Sequence, residues 1–191
     1  MNFQKKNPLI ILIGGRARSG KSSLALYLKQ EYQNQSKKVI MSPYTKYLKQ
    51  YITEVTEKPI DDDNKPRDLL QQISSKIIKK ELNNKDFFIR RQIEDLEVYS
   101  YFADVILIAD VRFPEEIKRI KDHFSNVVSI GVVRENYISI LTEEQQQDIT
   151  ETALDNYHDY DFQVINNEIE DLKIIAQEII QKIEERRYVN E

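Results

Sequence analysis

Glycine is so scarce in this chain that its placement constrains the fold more than any other feature. The 191 residues contain only Gly14, Gly15, Gly20 and Gly131, and three of the four fall within seven consecutive positions. A backbone that keeps its glycines in one place needs dihedral angles or close approaches there that a side chain would obstruct. Gly15-Arg16-Ala17-Arg18-Ser19-Gly20-Lys21-Ser22 matches the pattern Gly-x-x-x-x-Gly-Lys-Ser. Leu9 to Ile13, a wholly apolar run rich in β-branched residues, precedes it and reads as a strand buried on both sheet faces. Residues 21–35 follow it with Leu24, Leu28 and Tyr32 at helical spacing. A strand, a glycine bend and a helix in that order make a cradle for phosphate. Backbone N–H groups converge inside the bend, and the helix N-terminus adds a field that favours anions.

Residue types in the loop assign themselves to this chemistry. Gly15, Arg16, Ala17, Arg18, Ser19, Gly20, Lys21, Ser22 and Ser23 would wrap the phosphates of a nucleotide. Lys21, expected on an exposed loop, would reach the β- and γ-phosphates of ATP as a mobile point charge. The Ser22 hydroxyl would coordinate the magnesium ion that bridges them. Arg16 and Arg18 read equally well as phosphate contacts or as solvated side chains.

The remaining pattern alternates. Val39 to Met41 predicts a second strand, Tyr44 to Val55 a helix, and Thr56 to Pro66 a loop carrying the acidic run Asp61 to Asp63. Leu69, Leu70, Ile73, Ile77 and Ile78 mark a further helix, and Phe88 to Tyr101 another. Val105 to Ile108 is the clearest buried strand after the first, with Asp110 at its end. Pro114, followed by two acids and later bases, marks a helix start that agrees with the helix dipole. Val127 to Val133 predicts a fourth strand, residues 134–150 a polar, weakly patterned stretch, Phe162 to Ile165 a fifth strand and Ile169 to Ile183 a last amphipathic helix. Five short apolar strands separated by helices predict an α/β fold: one P-loop NTPase domain of three layers with a five-stranded parallel sheet.

Composition excludes several alternatives. There is no cysteine, which removes thiolate catalysis and disulfides and suits a cytoplasmic setting. A net charge of -4 and a pI of about 5.4 argue against a nucleic-acid polymer as partner. The first residues carry only six apolar residues in a row, so no export signal or membrane span is expected. His123 and His158 stand alone without metal-ligand spacing. Tyr44 and Phe88 read as core residues before they read as base-stacking ones.

A phosphate loop alone does not distinguish a kinase from a GTPase or a switch. No guanine-selecting Asn-Lys-x-Asp follows the late strands, which read VVREN and INNEI. Asp110 sits where a neighbouring strand would bring a carboxylate to magnesium, and Arg112, two residues on, could clamp a phosphate. Arg134, at the end of the fourth strand, opens the polar stretch that follows and would reach over the phosphates.

GRARSGKS, RDLLQQISSKIIKK, ADVRFPEE, TETAL near residue 152 and FQVINN together resemble the deoxynucleoside monophosphate kinase family of phages and bacteria. The resemblance spans most of the chain and implies an adenylate-kinase-like fold with a helical acceptor-binding region over residues 44–102 and a mobile lid over residues 134–150, which Arg134 opens. It implies ATP and Mg2+ as cofactors and a nucleoside monophosphate as the small-molecule substrate. By position it places Arg67 and Lys49 at the acceptor, with Arg90 in the same region, and Arg112 in the catalytic centre. Lys49 sits in TKYLK where the family has an Ala-x-Pro-Leu-Lys context, Asp148 replaces a histidine before Thr150 and Glu151, and Phe88 replaces a tryptophan. Those departures bear on which base is accepted. Phosphomevalonate or dephospho-coenzyme A as acceptor, a nucleotide-binding switch that transfers nothing, and a homodimeric or monomeric state all stay open at this point.

Overall fold

The computed structural model describes residues 4–60, 66–135, 142–168 and 171–190, without the side chains of Arg67, Glu144 and residues 187–190. The acidic run Asp61 to Asp63, the Arg67 side chain and the middle of the expected lid, 136–141, therefore lie outside the described residues.

Five strands form one parallel sheet in the order β2-β3-β1-β4-β5, with β1 Leu9–Gly14, β2 Val39–Met41, β3 Val105–Val111, β4 Val127–Val133 and β5 Phe162–Ile165. Parallel pairing buries both faces, and the period of two sorts β1 accordingly. Leu9, Ile11 and Ile13 face helix α1 (Lys21–Asn34) and helix α8 (Asp171–Asn190), meeting Leu24, Leu28, Leu172, Ala176 and Ile179. Ile10 and Leu12 face the opposite layer, where Ile89 and Leu96 of α4 (Phe87–Tyr99) and Ile117 and Ile120 of α5 (Pro114–His123) pack. Each such side chain removed from water contributes about 1.5–3 kcal/mol before the entropy of ordering is subtracted. Tyr44 and Phe88 both belong to this second core.

The strand bounds of β2, β4 and β5 match the expected ones, while three helical regions differ. Residues after α2 (Lys46–Thr56) continue as α3 (Arg67–Gln71) and then as a π-helical segment, Gln72–Glu81, rather than one α-helix. In this wider register the apolar pair five apart, half-buried Ile73 and buried Ile78, turns inward, while Ile77 rotates out to 46% exposure. The expected lid contains α6 (Glu143–Gln147) and α7 (Ile149–Thr152), each started by a capping side chain: Thr142 accepts from the Gln145 N–H and Asp148 from the Thr150 N–H. Helix α8 runs on past Ile183, since no glycine or proline stops it. Among the described residues, no helix is long and apolar enough to cross a membrane.

Candidate phosphate-binding site

Sheet register brings three chain segments to one level. Gly14 at the end of β1 lies opposite Val111 of β3 and Gly131 of β4, so the loop leaves the sheet where β3 delivers Asp110 to Arg112 and β4 delivers Val132 to Arg134. Ligands of open parallel sheets bind at this edge, where the strand order reverses. The loop curls because Gly15 (φ 141°), Arg18 (φ 58°) and Gly20 (φ 106°) all adopt left-handed conformations. A β-carbon on Gly15 would collide with the Val132 carbonyl oxygen, and one on Gly20 with the Asn166 amide group. Left-handed residues interspersed with right-handed ones turn successive N–H groups toward one concavity, an anion-binding nest.

Lys21 begins α1 and is only 6% exposed, contrary to its expected place on an exposed loop. Its stem runs back beneath the bend, and Nζ donates to the Arg16 carbonyl at 2.5 Å. Burial, and then the neighbouring Arg112 charge, push its pKa down to about 7, against the opposing pull of Glu151 and Asp110. Ser22 is exposed and Ser23 half-buried in the same first turn.

Arg112 comes from the β3–α5 turn. The structure brings it to the loop: Nη1 donates to the Gly15 carbonyl at 3.4 Å and to the Thr150 carbonyl at 3.5 Å, and pairs with Glu151 Oε1 at 3.0 Å. The other carboxylate oxygen, Glu151 Oε2, accepts from the Ala17 N–H at 2.6 Å. Arg16, which lines the cavity beside the loop, pairs with Asp155, which lines it too. Buried Glu116, in the first turn of α5, fixes the Arg112 backbone by accepting from the Arg112 N–H at 2.7 Å and the Phe113 N–H at 3.1 Å. Asp110 fastens the start of α2: its oxygens accept from the Tyr44 N–H, the Thr45 N–H and the Thr45 hydroxyl at 2.9, 3.0 and 2.9 Å.

Asn166, directly after β5, is wholly buried and donates from Nδ2 to the Ser19 carbonyl at 2.8 Å. It braces the loop against the fifth strand, a role the quoted FQVINN segment does not announce. Asn166→Ala would leave that carbonyl without its partner and open a small void. The expected cost is about 2 kcal/mol, or roughly 4–8 °C in Tm for a chain of this size. Thermal unfolding checks the loss, and calorimetry with Mg-ATP should show weaker binding through the loosened loop.

A cavity of about 670 Å³ opens beside the loop, lined by Gly15, Ala17, Arg134, Glu151, Tyr157 and Tyr160 among others. That volume suits a small-molecule ligand. Arg134 thus shares a space with the loop, as does His158, which sequence reading left isolated. His123 pairs with Glu97 far from it. Lys49 is half-buried on α2 and Arg90 exposed on α4; neither lines the cavity. Glu151, Asn166, Asp155 and Glu116 join the site only through the fold. Among the described residues no group of three or more His, Cys, Asp or Glu side chains could hold a metal ion by itself.

No protein-family model and no curated protein sequence matches the chain. Solved structures do match along almost its full length. The Mycobacterium tuberculosis APS kinase in complex with AMPPNP and APS aligns with a TM-score of 0.56 at 10% identity, covering 94% of this chain and 99% of that one. A gluconokinase from Sinorhizobium meliloti 1021 aligns with a TM-score of 0.52 at 11% identity, covering 97% and 98%. Shikimate kinase from Aquifex aeolicus vf5 aligns at 0.50 and 13% identity, covering 94% and 99%. Sheet order, loop geometry and these alignments agree that the chain has the three-layer α/β P-loop fold.

Proposed function

We propose that the chain is a phosphotransferase that uses ATP and magnesium to phosphorylate a nucleoside or deoxynucleoside monophosphate. The observation that carries this reading is the Glu151 carboxylate, held at once by the Ala17 amide and by Arg112. The loop and its arginine already seat an oxyanion, with the Lys21 ammonium nearby, so the concavity suits a phosphate in shape and sign. The neighbouring structures are kinases by name, one with AMPPNP in its complex, and this supports ATP as donor.

The donor set suits magnesium, a hard cation that takes oxygen ligands and keeps waters. Ser22 would hold it directly and Asp110 through water. When bound, it would neutralise charge between the β- and γ-phosphates. Lys21 orients the terminal phosphates, Arg112 meets the charge that spreads over the transferring group, and Arg134, which lines the cavity beside the loop, closes over the phosphates. Arg67 and Lys49 belong to the acceptor end in this reading, with Arg90 on its outer face.

A hydroxyl acceptor needs a general base, whereas a phosphate acceptor is ionised before it arrives. Of the carboxylates around the loop, Asp110, Glu116 and Glu151 accept from backbone N–H groups and Asp155 pairs with Arg16. That arrangement favours an acceptor that brings its own negative oxygen.

The test is ADP formation from Mg-ATP across a panel of ribo- and deoxyribonucleoside monophosphates, phosphomevalonate, dephospho-coenzyme A, APS, shikimate and gluconate. A nucleoside monophosphate should stimulate turnover at least about tenfold, the scale of a single well-placed contact. Stimulation by another compound alone would replace the acceptor. ATP binding with no stimulation by any of them would leave a nucleotide-binding switch.

A further inference from the structure

We infer that Glu151 is a displaceable internal anion: its carboxylate holds the phosphate loop and Arg112 in binding geometry, and an incoming nucleotide phosphate must evict it. The inference rests on the proposal that the loop binds a nucleotide, and adds how the protein controls entry to it.

The loop N–H groups and Arg112 are the donors a triphosphate would use, and Glu151 uses one of each. Oε2 accepts from the Ala17 N–H at 2.6 Å and Oε1 pairs with Arg112 Nη1 at 3.0 Å. The Glu151 side chain is only 11% exposed, so both contacts are shielded from water and stronger for it. The Ala17 N–H and the Arg112 Nη1 cannot serve a carboxylate and a phosphate together. Phosphate brings more charge and more acceptor oxygens, and it wins, but against a competitor tethered within reach.

Displacement has a second end. Glu151 lies in α7, whose first turn is built on Asp148: Oδ1 accepts from the Thr150 N–H at 2.8 Å and from the Thr150 hydroxyl at 2.6 Å. The other oxygen, Asp148 Oδ2, accepts from Gln71 Nε2 at 2.6 Å, and Gln71 ends α3 in the acceptor region. A continuous set of contacts therefore runs from Ala17 and Arg112 through α7 to α3. Evicting Glu151 releases the Arg112 edge for chemistry and loosens the tie to the acceptor helix in the same event. Aspartate at 148 fits this arrangement, because it caps α7 and reaches Gln71 with one side chain.

Two measurements on the full chain test the idea. Glu151→Gln keeps an oxygen for the Ala17 amide but weakens the hold on Arg112, so calorimetry should show Mg-ATP binding roughly tenfold tighter than wild type. Hydrogen exchange on the wild type should show Mg-ATP protecting 15–22 while deprotecting 149–152. Equal or weaker binding by a folded Glu151→Gln protein, or protection of 149–152 by Mg-ATP, would overturn the inference and leave nucleotide binding standing. Should Glu151→Gln fail to fold, the exchange experiment decides by itself. Absence of any Mg-ATP or Mg-GTP binding to the wild type would remove both readings.

Discussion

Lys21→Ala is expected to lower kcat/KM for phosphoryl transfer on the order of a thousandfold while the protein still unfolds cooperatively. Lys21 belongs to neither hydrophobic core, and among the described residues its Nζ donates to the Arg16 carbonyl. Its ammonium is buried at a cost, which is why its pKa falls to about 7. Losing the side chain thus removes an unfavourable burial along with the hydrogen bond, and Tm should move by only a few degrees, about 1 kcal/mol in a chain of this size. The same shift makes a pH prediction. The groups facing the ammonium are Arg112, which lowers its pKa, and Glu151 and Asp110, which raise it. Bound phosphate favours the charged form, so above pH 7 the nucleotide must bring a proton back to Lys21. The Kd for Mg-ATP should therefore rise by up to about tenfold per pH unit above 7 and stay flat just below it. Calorimetry in buffers of different ionisation heat measures that proton uptake directly. A Lys21→Ala enzyme within a few-fold of wild type would take Lys21 out of the phosphate site, whereas a Kd that does not move between pH 7 and 9 would show that the ammonium keeps its proton in the free protein.

Local chemistry made much of this legible in advance. Four glycines were enough to place the loop, because left-handed dihedrals at Gly15 and Gly20 leave no room for a β-carbon. Strands such as Val127–Val133 are short and mostly apolar, and both sheet faces accept them, so the bounds of β2, β4 and β5 could be read directly. Pro114 and the acids behind it start α5 where the dipole argument puts it. What escaped depends on distance along the chain. Glu151 meets Ala17 across 134 positions and Asn166 meets Ser19 across 147, and no local spacing encodes either contact. The π register of Gln72–Glu81 escaped because Leu69, Leu70, Ile73, Ile77 and Ile78 satisfy α spacing equally well, and tertiary packing chose the alternative. Helices α6 and α7 were legible and overlooked: Thr142 with Gln145 three residues on is a capping box, and Asp148 is an ordinary N-cap. Lysine in a polar loop reads as exposed, whereas a loop that curls over its own helix start buries Lys21.

Arg112→Ala should reduce kcat by about a thousandfold or more, the range of an arginine that meets transition-state charge, with KM for ATP changed only a few-fold. The asymmetry follows from the contacts. Ground-state phosphates can be held by the loop amides and Lys21, but Arg112 stands between the loop, at Gly15, and α7, at Thr150 and Glu151. It is placed to meet charge on the group in transit, not only on the group at rest. Glu116 holds its backbone through the Arg112 and Phe113 amides, so the guanidinium is delivered from a fixed turn. Arg112→Lys should restore little, because a single ammonium cannot reproduce a planar fork that spans two oxygens. Steady-state kinetics with saturating acceptor separates the possibilities: a large rise in KM for ATP with kcat preserved would make Arg112 a donor-binding residue. Combining Arg112→Ala with Glu151→Gln then tests whether the two act through each other. If Glu151 hinders nucleotide entry chiefly through its pair with Arg112, the tighter Mg-ATP binding expected of Glu151→Gln should largely vanish in the double variant. If the gain persists undiminished, Glu151 competes at the Ala17 amide alone.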